Sequence, residues 1–106
     1  MNKILLTGST GFVGKNILTS GILNDFSVLT PSSSDLNLLD KIAVRNYIQK
    51  HSPDLIIHSA GKVGGILKNI NSNYEFLLDN SSMAINLISE SFNSGVTNFL
   101  NISSSC

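Results

Sequence analysis
The 106-residue chain is 42 % apolar and only 13 % charged, and its seven basic and seven acidic side chains cancel. That balance excludes a charge-rich chain too polar to bury a core, and it lacks the basic patch that a nucleic-acid or acidic-membrane partner demands. One cysteine, Cys106, excludes an internal disulfide framework and fits a reducing compartment; the apolar run after Met1 is too short for a signal peptide or a transmembrane helix. A soluble cytoplasmic α/β domain is expected.

Residues 3–7, Lys-Ile-Leu-Leu-Thr, form a short apolar run ending at a glycine, the pattern of a buried parallel strand. From Gly11 a helix is expected, with Phe12, Val13, Ile17 and Leu18 on one stripe, fading by Gly21. Residues 26–30 read as a second strand halted by Pro31, and Ser32-Ser33-Ser34 as a polar turn. Residues 35–38, Asp-Leu-Asn-Leu, alternate as a brief third strand does. Asp40 is placed as the N-cap of a helix carrying Ile42, Val44, Tyr47 and Ile48, closed by Ser52-Pro53. Residues 54–60 form a strand apolar on both faces, residues 61–73 a loop with Gly64-Gly65, residues 74–92 a long helix, and residues 96–102 a last strand.

Strands alternating with helices in this way predict a Rossmann-like doubly wound parallel α/β sheet, cut off after about its fifth strand. Ligands of such sheets lie at the carboxyl ends of strands. The informative segments are therefore 7–14, 30–34, 59–65 and 103–106.

The first of these is Gly8-Ser9-Thr10-Gly11-Phe12-Val13-Gly14, spaced G-x-x-G-x-x-G between a strand and a helix. Gly8 permits a tight turn, Gly11 lets backbone approach a pyrophosphate, and Gly14 lets the helix pack close to the sheet. The helix N-terminus offers free N–H groups to phosphates. In that context the loop reads as a dinucleotide site. The second strand ends at Thr30-Pro31 without the carboxylate that usually holds the ribose diol of NAD, which points to NADP, with NAD as the alternative. No arginine stands nearby for a 2′-phosphate, only the hydroxyls of Thr30 and Ser32–Ser34. His58 reads as a packed core residue and His51 as surface at a helix end. Lys62 suits either a phosphate contact or a loop cap, and Asn80 either a contact near the nicotinamide or a solvated helix position. No metal cluster is expected.

On its glycine spacing, on Asp35-Leu36-Asn37-Leu38-Leu39-Asp40 and on Ser104-Ser105, the chain resembles the extended short-chain dehydrogenases/reductases, the NAD-dependent epimerase/dehydratase family. Within it, residues 33–40, 60–66 (Ala-Gly-Lys-Val-Gly-Gly-Ile), 76–80 and 103–106 carry a resemblance to the GDP-L-fucose synthase family that runs over the whole chain. The resemblance implies an NADPH-dependent nucleotide-sugar epimerase/reductase acting on GDP-4-keto-6-deoxymannose, homodimeric at full length. Ser104 falls on its catalytic serine and Cys106 on its epimerisation cysteine. Gly8, Ser9, Thr10, Gly11, Phe12, Val13, Gly14, Leu39, Asp40, Ala60 and Lys62 fall to the cofactor, and Val63, Gly64, Gly65 and Ser105 to the substrate.

The chain differs from that family at the Thr10 position and near Pro31 or Ser33, where arginines for the cofactor phosphate often stand and none is present here. Residues 1–106 also contain no Tyr-x-x-x-Lys and no partner histidine. They are therefore expected to be an N-terminal NAD(P)-binding domain, incomplete and without its C-terminal substrate domain, and inactive as a reductase alone. The other readings are a different nucleotide-sugar epimerase/dehydratase and a non-catalytic dinucleotide-binding fragment.

Overall fold
A computed structural model describes residues 2–59 and 70–102, with side chains in the last helix from residue 78 onward. In chain order the elements are β1 (Lys3–Thr7), α1 (Phe12–Thr19), β2 (Ser27–Leu29), α2 (Lys41–His51), β3 (Leu55–His58), α3 (Ile70–Asn93) and β4 (Phe99–Asn101). The strands form one parallel sheet in the order β2-β1-β3-β4, so β1 lies inside and the chain crosses it on the way from β2 to β3. That reversal of direction beside β1 is the switch point at which doubly wound sheets open a crevice for ligands.

Alternation along the strands divides two cores. Leu5 and Ile56 point to one face, where Val44 and Ile48 of α2 and Met83 and Leu87 of α3 cover them. Ile4, Leu6 and Ile57 point to the other, under Ile17 of α1 together with Leu23, Phe26 and Val28. Strands buried on both faces need apolar residues at every position, which is why they read as unbroken apolar runs. The stripe expected on α1 is narrower than its sequence suggests. Ile17 packs inward, whereas Phe12 is 85 % exposed at the helix start.

Residues 35–38 are not a strand. The amides of Asp35 and Leu36 both donate to the Ser32 carbonyl, at 3.0 and 2.9 Å, and the Asp40 amide donates to the Asn37 carbonyl. Two successive turns thus drop Leu36 and Leu38 into the α2/α3 core. The alternation recorded burial, but serine, aspartate and asparagine side chains took the backbone hydrogen bonds that a ladder needs. Four strands therefore stand among the described residues where five were expected.

Helix α2 is fixed at both ends. Asp40 Oδ1 accepts from the amides of Ile42 and Ala43 at 3.1 and 3.2 Å, and Ser52 turns left-handed with φ of 47° before the buried Pro53. Its contact with α3 is tied by charge. Glu90, buried on α3, accepts from Arg45 Nε at 2.7 Å and lies 3.8 Å from Lys41 Nζ. The Arg45 hydrogen bond holds the Glu90 carboxyl below its ordinary range. No local pattern announced this pair, whose members stand 45 positions apart.

Candidate dinucleotide cleft
At the carboxyl end of β1 the backbone must turn at once into α1. Gly8 does so with φ of 71°, a left-handed conformation that costs a residue with a Cβ about 1 kcal/mol or more. Its carbonyl then accepts from the Gly11 amide at 3.0 Å, which closes the loop. Gly11 is the N-cap of α1 and supplies no side-chain cap. The first helical amides, those of Phe12, Val13 and Gly14, therefore lack an intrahelical acceptor and present a partial positive charge. Gly14 is pressed on the loop: a Cβ there would run into the Gly8 carbonyl and lie 2.8 Å from Ser9 Cα. Close approach of helix to loop thus requires glycine.

Next to this turn the strand ends are knitted by short polar contacts. Thr7 Oγ1 and His58 Nδ1 share a buried hydrogen bond of 2.7 Å. The Ser59 amide donates to Thr7 Oγ1 at 3.1 Å, and Ser59 Oγ donates to the Thr7 carbonyl. Burial lowers the His58 pKa and so favours its neutral ring. His58 belongs to the packed interior, behind Thr7.

The cleft itself has a volume of about 630 Å³. Its phosphate end is Thr7 to Gly11, its rim Thr30 to Ser33, and its inner wall Leu36, Leu38, Leu39 and Met83. Polar turn at one end and apolar wall at the other suit a molecule with a charged middle and a flat base, and the volume lies in the range of cofactor pockets. The residues present fit a dinucleotide: amides and a Cβ-free approach at Gly11 for the pyrophosphate, leucine and methionine side chains for the adenine.

Of the residues singled out from sequence, Gly8, Ser9, Thr10, Gly11 and Leu39 line the cleft. Phe12, Val13 and Gly14 form the first turn of α1 beside it, and the Asp40 carboxylate is engaged in capping α2. Ala60, Lys62, Val63, Gly64, Gly65, Ser104, Ser105 and Cys106 lie outside the described residues. Met83 was missed, because a methionine on a long helix carries no signal of which strand end it faces. Leu36 and Leu38 were missed for the cleft because they read as a strand. Asn86, in contrast, is a structural contact: its Nδ2 donates to the Leu38 carbonyl at 3.0 Å and holds the wall segment onto α3.

A parallel sheet with a glycine turn, a bare helix N-terminus and an apolar wall at its switch point defines a Rossmann-like nucleotide-binding α/β protein. The chain belongs to the NAD dependent epimerase/dehydratase family, whose model matches residues 4–106. It is similar to a GDP-L-colitose synthase of Yersinia pseudotuberculosis, 47 % identical over 98 % of this chain and 34 % of that protein. A GDP-L-fucose synthase of Azorhizobium caulinodans is 42 % identical over 98 % of this chain and 33 % of its own length. Among solved structures, a GDP-L-fucose synthetase from Naegleria fowleri bound to NADP superposes with a TM-score of 0.76 at 27 % identity, over 94 % of this chain and 30 % of that one. The chain spans about a third of the length of the curated relatives it matches. Among the described residues no helix is long and apolar enough to cross a membrane.

Proposed function
We propose that this chain is the NAD(P)-binding domain of a nucleotide-sugar epimerase/reductase, one that makes GDP-L-fucose or a related GDP-sugar from a GDP-4-keto-6-deoxyhexose. The observation that carries the reading is the cleft at the β1–α1 turn, joined to the likeness to GDP-L-fucose and GDP-L-colitose synthases over 98 % of the chain. When bound, the reduced nicotinamide supplies hydride to the keto carbon. The chain's own part is to hold the pyrophosphate on the amides at the start of α1 and to seat the adenine against Leu36, Leu38 and Met83.

Ser104 donates a hydrogen bond to the keto oxygen and so stabilises the charge that develops there. Cys106 exchanges the proton on the carbon beside the ketone, which the carbonyl acidifies. Ser105 and residues 63–65 contact the sugar nucleotide, and Ala60 and Lys62 the cofactor. NADP(H) is the proposed cofactor, with NAD(H) as the alternative; the NADP-bound Naegleria structure and a second strand that ends without a carboxylate support NADP(H). The tyrosine and lysine that complete the proton relay are not in residues 1–106, so these residues alone reduce no keto sugar. The protein works in the cytoplasm as a homodimer.

The test is oxidation of NADPH by the protein, purified as its gene encodes it, with GDP-4-keto-6-deoxymannose as substrate. Turnover that Cys106→Ser blocks at the epimerisation steps supports the reading. Turnover only with a dTDP- or UDP-keto sugar moves the protein to another branch of the family. Cofactor binding with no turnover on any keto sugar leaves a non-catalytic dinucleotide module and overturns the proposal.

A further inference from the structure
The ribose end of the cleft decides between the two nicotinamide cofactors, and its chemistry here is unusual in carrying neither of the standard discriminators. The rim is Thr30, Pro31, Ser32 and Ser33, and the phosphate loop faces it with Ser9 and Thr10. None of the described residues lining the cleft is charged. Among the described residues no carboxylate stands at the end of β2 to hold a ribose diol and repel a 2′-phosphate, and no guanidinium lines the cleft to grip that phosphate.

A charged side chain is bonded to the rim itself. The Ser32 amide donates to Asp35 Oδ2 at 3.2 Å, while the Asp35 amide returns a bond to Ser32 Oγ at 3.2 Å. Ser32 Oγ also meets Ser34 Oγ at 3.1 Å. These bonds fix an anionic carboxylate against a rim residue. A 2′-phosphate at the rim gains hydroxyl contacts and meets this repulsion; a 2′-hydroxyl loses the contacts and escapes the repulsion.

We propose that the rim formed by Ser32 and Ser33, backed by Asp35, makes the protein a dual-cofactor enzyme, with NADP(H) and NAD(H) bound within about tenfold of each other. The proposal rests on the dinucleotide reading above. An arginine–phosphate pair is worth about tenfold to a hundredfold in affinity, so its absence sets the expected ratio. Among the described residues the sign of the salt effect follows from Asp35. Screening weakens repulsion between the carboxylate and a phosphate, so added salt leaves the NADPH-to-NADH affinity ratio flat or moves it toward NADPH. A site that grips the phosphate with a cation moves the opposite way.

The experiment titrates NADPH, NADH and ADP into the protein purified as its gene encodes it, by tryptophan-independent nicotinamide fluorescence and calorimetry, at low and moderate salt. Ser33→Arg is titrated beside it, with a melting curve to show that it folds. The proposal expects a ratio within about tenfold, not falling with salt, and a shift of at least about tenfold toward NADPH in Ser33→Arg with NADH binding unchanged. A ratio well above tenfold for NADPH that falls with salt overturns it, as does a folded Ser33→Arg with an unaltered ratio. Failure to bind NADPH, NADH and ADP alike overturns the underlying dinucleotide reading as well, and so is told apart from failure of the specificity alone.

Discussion
A methyl group added at Gly14 and one added at Gly11 meet different surroundings, and the difference separates folding from binding. At Gly14 the new carbon falls on the Gly8 carbonyl and within 2.8 Å of Ser9 Cα, backbone atoms that cannot swing aside. Gly14→Ala should therefore cost about 1–3 kcal/mol, as overpacking does, and lower the denaturant midpoint. At Gly11 the same carbon lies 3.4 Å from the Gly8 carbonyl, an ordinary contact, and the backbone there has φ of −76°. Gly11→Ala should melt within about 0.5 kcal/mol of the parent. It should nonetheless weaken cofactor binding, because its methyl group stands where the pyrophosphate approaches the helix start. Unchanged affinity in Gly11→Ala would show that the phosphates lie elsewhere. The sequence conveyed the roles of these glycines because a loop motif is local. It was silent on Glu90 and Arg45, whose bond depends on how α2 and α3 lie side by side.

Helices and strands were legible where one face or both had to be buried in a continuous run. The segment 35–38 was not, since its two leucines are buried by turns that serine, aspartate and asparagine side chains hold. Much of the cleft wall comes from that segment, so the misread strand and the missed wall have one cause. The junction between α2 and β3 depends on another side chain acting on backbone. Asp54 Oδ2 accepts from the amides of Asn2 and Lys3 at 2.9 and 3.0 Å and so ties the start of β1 to the start of β3. These bonds hold the Asp54 carboxyl below its ordinary range. A carboxyl depressed in the folded state gives stability that is complete above its unfolded value, about 3.9, and is lost as pH falls through the folded one. Asp54→Asn should thus be less stable than the parent at neutral pH, with the gap closing under acid. Urea midpoints measured for both proteins between about pH 6 and pH 3 check this; a gap that stays constant across the range would show that the charge of Asp54 is not what secures the junction.

At the scale of the whole molecule, the two cores account for the sheet but not for one face of α3. Leu78, Ile85, Ile88 and Phe92 are 52, 63, 46 and 81 % exposed, and their spacing places them within one arc of the helix. The inward side of the same helix is already satisfied by Met83 and Leu87. A long helix apolar on two sides requires two layers, and a contiguous apolar stripe of this kind marks an interface. A second copy of the protein, packing α3 against its own α3 about a two-fold axis, would cover the stripe with itself. On the homodimer reading, Ile85→Lys and Phe92→Lys together should convert the protein to a monomer in light scattering. The far-ultraviolet circular dichroism and the melting temperature of the monomer, extrapolated to low concentration, should stay close to the parent's because both side chains face out. NADPH binding should also persist, since the cleft is lined by Met83 on the opposite side of the helix and by the strand ends. A doubly substituted protein that remains dimeric would place the subunit contact elsewhere and leave the stripe to be covered from within the same polypeptide.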